Sequence, residues 1–470
     1  MKQIFLGMDI GTTNTKVLAI GENGDQIAIA SNETLWRSKP GGRVEAIPEE
    51  IFQTCIQTIY DVLYKSKEKL GEVRVASLAI TGLAESGVIV NPQGIALSNS
   101  VAWFDARGEE EMQALGAEFR HGFQSRTGLV FKAEASISTL LSFKNEGFDF
   151  SSKEIVWLNL QEYVAYRLTG TMASEPSLSS RTGLYDQSTF KMWQGAIEAL
   201  GINENFVPEE LNAGDSWGEI NSPNFQFELI GALVTIAGHD HAVGALGSGA
   251  TKTNQIFNST GTSDAIFRTV PGVLTDQQRI DLTAMGVSAG RHILKEMSSC
   301  IGGSRGGLVL RRSLDLIGAR RGERLKEIDK AWSPEIKFRD VIDLTQHKSI
   351  SNDINIVVTG DAGPNELWAA ALDYMSGENR KFLSGLDKVV GKHQSSVAAG
   401  GWIKMRSVRE VKKTVLENLE FSNVEEAGAT GAAYIASWLG QEKGDSLIDH
   451  INERVLNYIR KSEIKLVDSK

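Results

Sequence analysis

Three short stretches gather residue types that handle phosphate and hydroxyl protons. In Phe5-Leu-Gly-Met-Asp-Ile-Gly-Thr-Thr-Asn-Thr-Lys-Val-Leu18 an apolar run ends at Asp9, a Gly-Thr-Thr-Asn turn follows, and apolar residues resume at Val17. That order predicts two strands joined by a tight loop. A P-loop would need a helix after the loop and a Gly-Lys-Ser/Thr ending, and neither is present here. A turn of this composition offers backbone N–H groups and hydroxyls to an anion. Asp9 at its mouth could hold Mg²⁺ or its waters, because that ion takes one or two carboxylates plus phosphate oxygens. A hairpin with an ordinary polar turn is the plain alternative. The second stretch, Leu233-Val-Thr-Ile-Ala-Gly-His-Asp-His-Ala-Val-Gly-Ala-Leu-Gly-Ser-Gly249, predicts a buried strand ending at Gly238 with Asp240 where a helix begins. Asp240 reads either as an N-cap or as a reactive carboxylate. His239 and His241 flank it without a third ligand for a metal, so satisfied or solvent-facing roles are expected for both. The third, Gln255-Ile-Phe-Asn-Ser-Thr-Gly-Thr-Ser-Asp-Ala-Ile-Phe267, repeats the first: Gly261-Thr-Ser263 echoes Gly11-Thr-Thr13, with Ser259 where Asp9 stood. The echo predicts two similar halves, one with a metal side and one for phosphate alone.

The elements that must position these residues follow from periodicity and punctuation. Gln26 to Ser31 continues the hairpin as a meander. Pro48-Glu-Glu50 opens a helix running to about Lys67. Val75 to Thr81 reads as a buried strand, so strands alternating with helices predict an α/β sheet whose ligands gather at strand carboxyl ends. Glu85 lies just beyond one such end, and Trp103 and Asp105 are candidates for another. An aromatic face beside carboxylates suits a polyol, although a lone Trp there is also a common core residue. Helical signals dominate from Glu109 to Gly201, with a helix ending at Gly170 and a polar loop from Ser174 to Asp186. The Gly/Ala run from Gly238 to Gly249 is expected to allow close packing or to act as a hinge. Ile301-Gly-Gly-Ser-Arg-Gly-Gly307 precedes a helix, and a long helix runs from Pro364 to about Val389. Ser395-Ser-Val-Ala-Ala-Gly-Gly-Trp402 predicts a strand ending in glycines against which a base and ribose could lie. Glu425 to Tyr434 is a small-residue helix, and an amphipathic helix spans roughly Asp445 to Arg460.

Composition bounds the rest. The chain has 470 residues, 41% hydrophobic and 23% charged, enough for two or three domains of ordinary globular type. No apolar run reaches the ~18 residues of a membrane span, and Met1-Lys2-Gln3 leads straight into the first strand without room for a signal peptide. Cys55 and Cys300 suit neither a disulfide framework nor a zinc site, so a cytoplasmic location is expected. A net charge of −10 argues against nucleic acid as a partner.

Taken together, the pattern resembles the FGGY carbohydrate kinase family, within the superfamily of ribonuclease-H-like folds shared by actin, hexokinase and the heat-shock chaperone ATPases. Met8-Asp-Ile-Gly-Thr-Thr-Asn-Thr-Lys16 is similar to the family's first phosphate motif, and Ser259-Thr-Gly-Thr-Ser263 to the second. Ile80-Thr-Gly82 with Glu85, and Trp103-Phe-Asp-Ala-Arg107, resemble its sugar-binding loops. Leu168-Thr-Gly170 with Ala173 and Asp186 resembles a mid-domain signature, Gly238-His-Asp-His-Ala-Val-Gly244 the segment of the catalytic base, and Gly400-Gly401 with Glu425 to Ala433 the adenosine motif and its helix. The resemblance implies an α/β fold of two ribonuclease-H-like, actin-like ATPase domains around a central cleft, residues 1–244 and 245–470. It implies ATP-dependent phosphorylation of a small sugar or polyol with Asp240 as general base. Glu85, Trp103, Asp105 and Asp240 would contact the substrate, and Asp9 would hold Mg²⁺. Thr12, Thr13, Asn14, Lys16, Gly261, Thr262, Gly303, Gly400 and Gly401 would contact the nucleotide. No membrane partner is implied, and a homodimer is one assembly it allows. A nucleotide-driven binding or regulatory protein of the same superfamily is the rival, but it has no reason to carry Asp240 with Glu85 and the Trp103/Asp105 pair. Departures from the family pattern are His241 after the aspartate, Glu175 where Asp is common, Trp402 after Gly401, and Ala84 before Glu85.

Overall fold

A computed structural model describes residues 1–152, 154–261, 263–338, 342–346, 354–358, 361–441 and 446–468, with side chains to residue 458 in the last helix. The opening hairpin is present as strands β1 (Lys2–Ile10) and β2 (Asn14–Gly21), followed by β3 (Gln26–Glu33), helix α1 (Pro48–Leu70) and strand β4 (Val73–Gly82). Far along the chain β5 (Leu233–His239) returns to the same sheet and feeds helix α2 (Asp240–Gly247). The sheet order is β5-β4-β1-β2-β3, with β1–β2–β3 antiparallel and β4 and β5 parallel to β1.

The second half repeats this plan. Strands β6 (Gln255–Thr260), β7 (Asp264–Pro271), β8 (Ser288–Arg291) and β9 (Met297–Ser304) precede the long helix α3 (Pro364–Val390). Then come β10 (Ser395–Ala399), β11 (Leu419–Phe421), helix α4 (Ala427–Gly440) and helix α5 (Leu447–Asp468). The order is β8-β9-β7-β6-β10-β11, with β6–β7–β9 antiparallel and β10 and β11 parallel to β6. Setting β8 aside as an added edge, every strand has its counterpart in the first sheet, so the echo of the two Gly-Thr turns reflects a repeated sheet.

Alternation along β1 explains how the halves meet. Ile4, Leu6, Met8 and Ile10 enter the core beneath α1, while Phe5 joins a second core built from both sheets, with Phe257, Phe267 and Val397. Gly7 lies on the Phe5 face, and any side chain there would strike the backbone of α4 at Ala429 and Ala433. Asp9 comes next on that face, and a side chain at Gly428 would strike its carboxylate. Small residues thus let α4 lie directly on β1 and bring its first turn over Asp9. Gly247 and Gly431 make α2 and α4 equally close. The glycine-rich segment read above as a hinge is therefore, from Asp240 to Gly247, a packed helix.

Two local expectations are corrected. The segment after Ser174 is a buried turn containing the helix Pro176–Ser179, because Glu175 caps that helix by accepting from Leu178 N. Segment Glu109 to Gly201 also holds strand Val156–Asn159 among its helices. Asp445, at the expected start of the last helix, lies outside the described residues. Among the described residues no helix is long and apolar enough to cross a membrane.

Candidate functional site

The first turn is closed by Gly11 N donating to Asn14 O at 3.1 Å and is held from three sides. Thr34 Oγ1 donates to Gly11 O at 2.8 Å, and Trp36 Nε1 to Thr12 O at 2.9 Å. Trp103 Nε1 donates to Thr12 Oγ1 at 3.0 Å. Because the Thr12 hydroxyl accepts from the indole, its own proton is left to point at an anion over the turn. Thr13 is exposed, and Asn14 begins β2 paired with Glu33. Lys16 pairs in register with Asp9, and its ammonium binds Glu426 Oε2 at 2.5 Å at the head of α4.

Asp9 Oδ1 is buried and has no hydrogen-bond partner among the described residues. Burial, and next the charge of Asp240, push its carboxyl up to about 7, against the lowering effect of Lys16. An orphaned carboxylate oxygen beside a phosphate-type turn suits a hard cation that keeps waters and phosphate oxygens as its other ligands. Among the described residues no group of three His, Cys, Asp or Glu side chains could hold a metal by itself.

Asp240 is the first residue of α2; His239, with extended backbone angles, is the N-cap, and its side chain makes no cap bond. The reading of Asp240 as a cap is thereby corrected. Asp240 Oδ1 lies 3.2 Å from His239 Nε2 and 3.4 Å from His241 Nδ1. Burial pushes its carboxyl up to about 7, with His241 N–H and the charge of Arg181 opposing. Burial also drives His239 well below the usual histidine range and His241 down to about 4, so both rings are neutral near pH 7. The peptide before Asp240 is gripped on both sides: Thr81 Oγ1 donates to Gly238 O at 2.6 Å, and His239 N donates to Ser177 Oγ at 2.9 Å. Ser177 in turn donates to Glu175 Oε2 at 2.6 Å.

Glu85 follows β4 with φ at 67°, a backbone strain of the kind found at functional sites. Its Oε1 accepts from Arg181 Nε at 2.6 Å and pairs with Nη2 at 2.5 Å. Burial raises its carboxyl and Arg181 opposes that, with the charge of Asp240 adding to the rise. Trp103 is 37% exposed. Asp105, expected beside the sugar, is instead spent inside the protein. It accepts from Val44 N at 2.7 Å, from Arg107 N at 2.9 Å, and from the Arg107 guanidinium at 3.1 and 2.8 Å. Its role is to fix the loop that carries Trp103.

The second turn has its own support. Gly261 N donates to Ser263 O at 2.9 Å and Trp402 Nε1 donates to Gly261 O at 2.9 Å. Gly400, with φ at 106°, lies against the Thr260 backbone so closely that no side chain fits, whereas Gly401 is open. Gly303 pairs with Ala265, and the backbone of Asp264 occupies the space its side chain would need. Thr262 lies outside the described residues. Beneath the turn Lys412 Nζ binds Asp264 Oδ1 at 3.0 Å and Asn258 Oδ1 at 2.5 Å, all three side chains buried.

The structure thus brings Asp9, Thr12, Trp103, Glu85 and Asp240 around one region. It adds Arg181, Ser177, Trp36 and Glu426, and beneath the second turn Lys412, which sequence reasoning missed, and it gives Glu175, noted in the sequence only as a departure from the family pattern, a partner in Ser177. Arg181 is a cation within Ser179-Ser-Arg-Thr-Gly183, the one signal available; its pairing with Glu85 spans a long stretch of chain and has no local signature.

The model for the N-terminal domain of the FGGY family of carbohydrate kinases matches residues 4–247. A glycerol kinase of Thermococcus onnurineus is 23% identical over 57% of this chain and 54% of its own length. A gluconokinase of Bacillus subtilis is 26% identical over 66% of this chain and 59% of its own. The matches therefore span little more than half the length of these curated relatives. The crystal structure of Plasmodium falciparum glycerol kinase with ADP superposes with a TM-score of 0.84, at 16% identity, covering 100% of this chain and 98% of that one. That likeness confirms the fold of two actin-like ATPase domains.

Proposed function

The chain belongs to the FGGY family of carbohydrate kinases, and on that premise we propose that it transfers the γ-phosphoryl group of ATP to a hydroxyl of a small sugar or polyol. The observation that carries this reading is a pair of half-buried carboxyls: Asp9 has an orphaned oxygen beside the first turn, and Asp240 stands at a helix start between two histidines, with desolvation pushing both up to about 7. Asp240 takes the proton from the attacking hydroxyl; a base with a pKa near the working pH is suited to that task. Glu85, Arg181 and Trp103 orient the acceptor, whose carbon face lies on the indole. Thr12 and Thr13 in the first half, and Gly261, Thr262, Gly400 and Gly401 in the second, receive the nucleotide, with residues 1–244 and 245–470 as the two halves. Lys16 acts through Glu426 and Asp9. Asp9 would hold magnesium, which when bound supplies charge neutralisation at the transferring phosphoryl oxygens. Positioning and electrostatics dominate such a transfer, which fits a site with no covalent nucleophile.

The test is ADP release with a panel of polyols, ketoses, aldoses and aldonates, run on wild type and Asp240→Asn. Turnover with one acceptor class is expected, falling by about two to four orders of magnitude in the variant. Since His239 is the cap, the substitution leaves the helix start intact. Nucleotide hydrolysis that no acceptor stimulates would favour a nucleotide-driven switch.

A further inference from the structure

A cavity of about 690 Å³ lies beside the end of β5, where Glu175 and Ile293 from its walls close on Gly238. One wall comes from the first half, through Glu175, Gln187, Phe190 and Ala213, and the other from Val273 after β7 and the turn between β8 and β9. None of Asp9, Thr12, Glu85, Trp103 or Asp240 borders it. The walls are fixed to each other. Ala289 N donates to Gly128 O at 2.7 Å, and Arg291 Nη1 binds Glu210 Oε2 at 2.6 Å, with its guanidinium 3.3 Å from the centre of the Phe190 ring. Most of the lining is apolar, with Pro176, Leu274, Ile293, Leu294 and Met297 beside Phe190.

One polar group in this lining is unspent. Gln187 is only 5% exposed, and its side-chain amide has no hydrogen-bond partner among the described residues. Buried amides are normally paired, so a free one at a cavity wall calls for a partner from outside the chain. Charge around the cavity is balanced: Arg291 has Glu210, and Arg279 has Asp276 Oδ1 at 2.6 Å. Lys295 and Glu296, both exposed, are of opposite sign. Burial pushes His292 down to about 3, so its ring is neutral, and pushes Glu175 up to about 7.

We propose that this cavity is a binding site, separate from the cleft, for a small uncharged ring that carries a hydrogen-bond donor and acceptor side by side. That edge pairs with an amide in two bonds, and a lactam, a ring carboxamide or a pyrimidine base possesses it. The apolar walls take the faces of the ring and Gln187 takes its polar edge, the usual division of labour in a small-molecule site of this size. An occupant stands against Glu175, which accepts from Ser177 Oγ, while Ser177 Oγ accepts from His239 N. The site therefore has leverage on the peptide that carries Asp240 without access to its carboxylate.

The experiment is calorimetric titration of the full chain with nicotinamide and with uracil, in the presence of a saturating non-hydrolysable ATP analogue. The analogue keeps a base-like ring from reporting the nucleotide site, and nicotinate is the charged control of the same shape. Both uncharged probes are expected to bind, and nicotinate at least tenfold more weakly, since a buried charge needs a partner. Gln187→Met keeps the volume and removes the amide, and should weaken both probes about tenfold, the worth of two neutral hydrogen bonds. Val273→Trp, at a half-exposed position on the opposite wall, should weaken them at least as much by filling space. Melting curves report whether each variant folds. No binding of either probe to wild type, nicotinate binding as tightly, or unchanged affinity in folded Gln187→Met would overturn the proposal. Should Gln187→Met fail to fold, unchanged affinity in Val273→Trp overturns it instead. None of these readings uses turnover, so a failure of the kinase reading leaves them intact.

Discussion

The two turns are built on the same sheet plan yet treat their carboxylates in opposite ways. In the first half residues 11–14 separate the paired Ile10 and Thr15, and the nearby acid, Asp9, ends with an oxygen that nothing in the protein satisfies. In the second half residues 261–263 separate Thr260 from Asp264, and that acid is bound by Lys412, Asn258, Asn379 and Thr260. One turn leaves a carboxylate oxygen beside it without a partner; at the other the acid has an internal counter-ion. The difference fits the proposed roles, a metal on the first turn alone, and the second half does carry an acid, at Asp264, but on the far side of its turn.

Crossed substitutions break this comparison most directly. Asp264→Asn leaves the Lys412 ammonium buried without its partner and should cost about 3–5 kcal/mol of stability. Asp9→Asn should instead leave the fold intact or more stable, while turnover falls by about 10²–10³, the usual weight of one preorganised electrostatic group. Thermal melts and ADP release on both variants check the pair. Loss of stability in Asp9→Asn without loss of turnover would make its acid structural.

The pH dependence has a definite sign. Asp9 and Asp240 have folded values of about 7 against an ordinary 3.8, so between those limits the folded state binds the extra protons. Their contribution to stability is therefore greatest at low pH, falls as pH rises from about 4 to about 7, and is lowest above that. The ligand-free protein should melt at a lower temperature at pH 8 than at pH 5.5 as far as these two groups go, and Asp9→Asn should reduce the difference. Activity runs the other way, because the base must be ionised: kcat/KM should drop below about pH 7. His239 and His241, already neutral there, cannot supply that limb.

Much of this was legible in the sequence where local rules decide. Strand alternation and the Gly-Thr turns gave both hairpins, and the small residues from Glu425 to Tyr434 read as a helix, which runs from Ala427 to Gly440. What escaped was set by contacts between distant segments. Asp105 looked like a ligand because nothing in its neighbourhood says that both its oxygens are spent on Arg107 and Val44. Ser174 to Asp186 looked like a loop because serines and a glutamate are polar, but the buried Glu175–Ser177 pair uses that polarity to hold the His239 peptide. Ser177→Ala deletes this support for Asp240 at a cost of about 1 kcal/mol. The expected readout is a kcat about fivefold lower with both KM values unchanged; a change in KM alone would place Ser177 elsewhere in the mechanism.

The smallest expected effect sharpens the comparison of the turns. Each has an indole donating to a turn carbonyl: Trp36 to Thr12 O in the first, Trp402 to Gly261 O in the second, both at 2.9 Å. The first turn has two further supports, Thr34 on Gly11 O and Trp103 on the Thr12 hydroxyl. The second has the close approach of Gly400, which excludes side chains but donates no side-chain hydrogen bond. Losing one neutral bond is worth about 1 kcal/mol, or roughly fivefold in affinity, where nothing else restrains the carbonyl. Trp402→Phe should therefore raise the KM for ATP about fivefold, and Trp36→Phe by less, since two neighbours still hold its turn. Neither should move the KM of the acceptor. Initial rates over a matrix of both substrates measure all of these constants, and a larger ATP effect from Trp36→Phe would mean that the first turn, for all its supports, depends chiefly on that single indole.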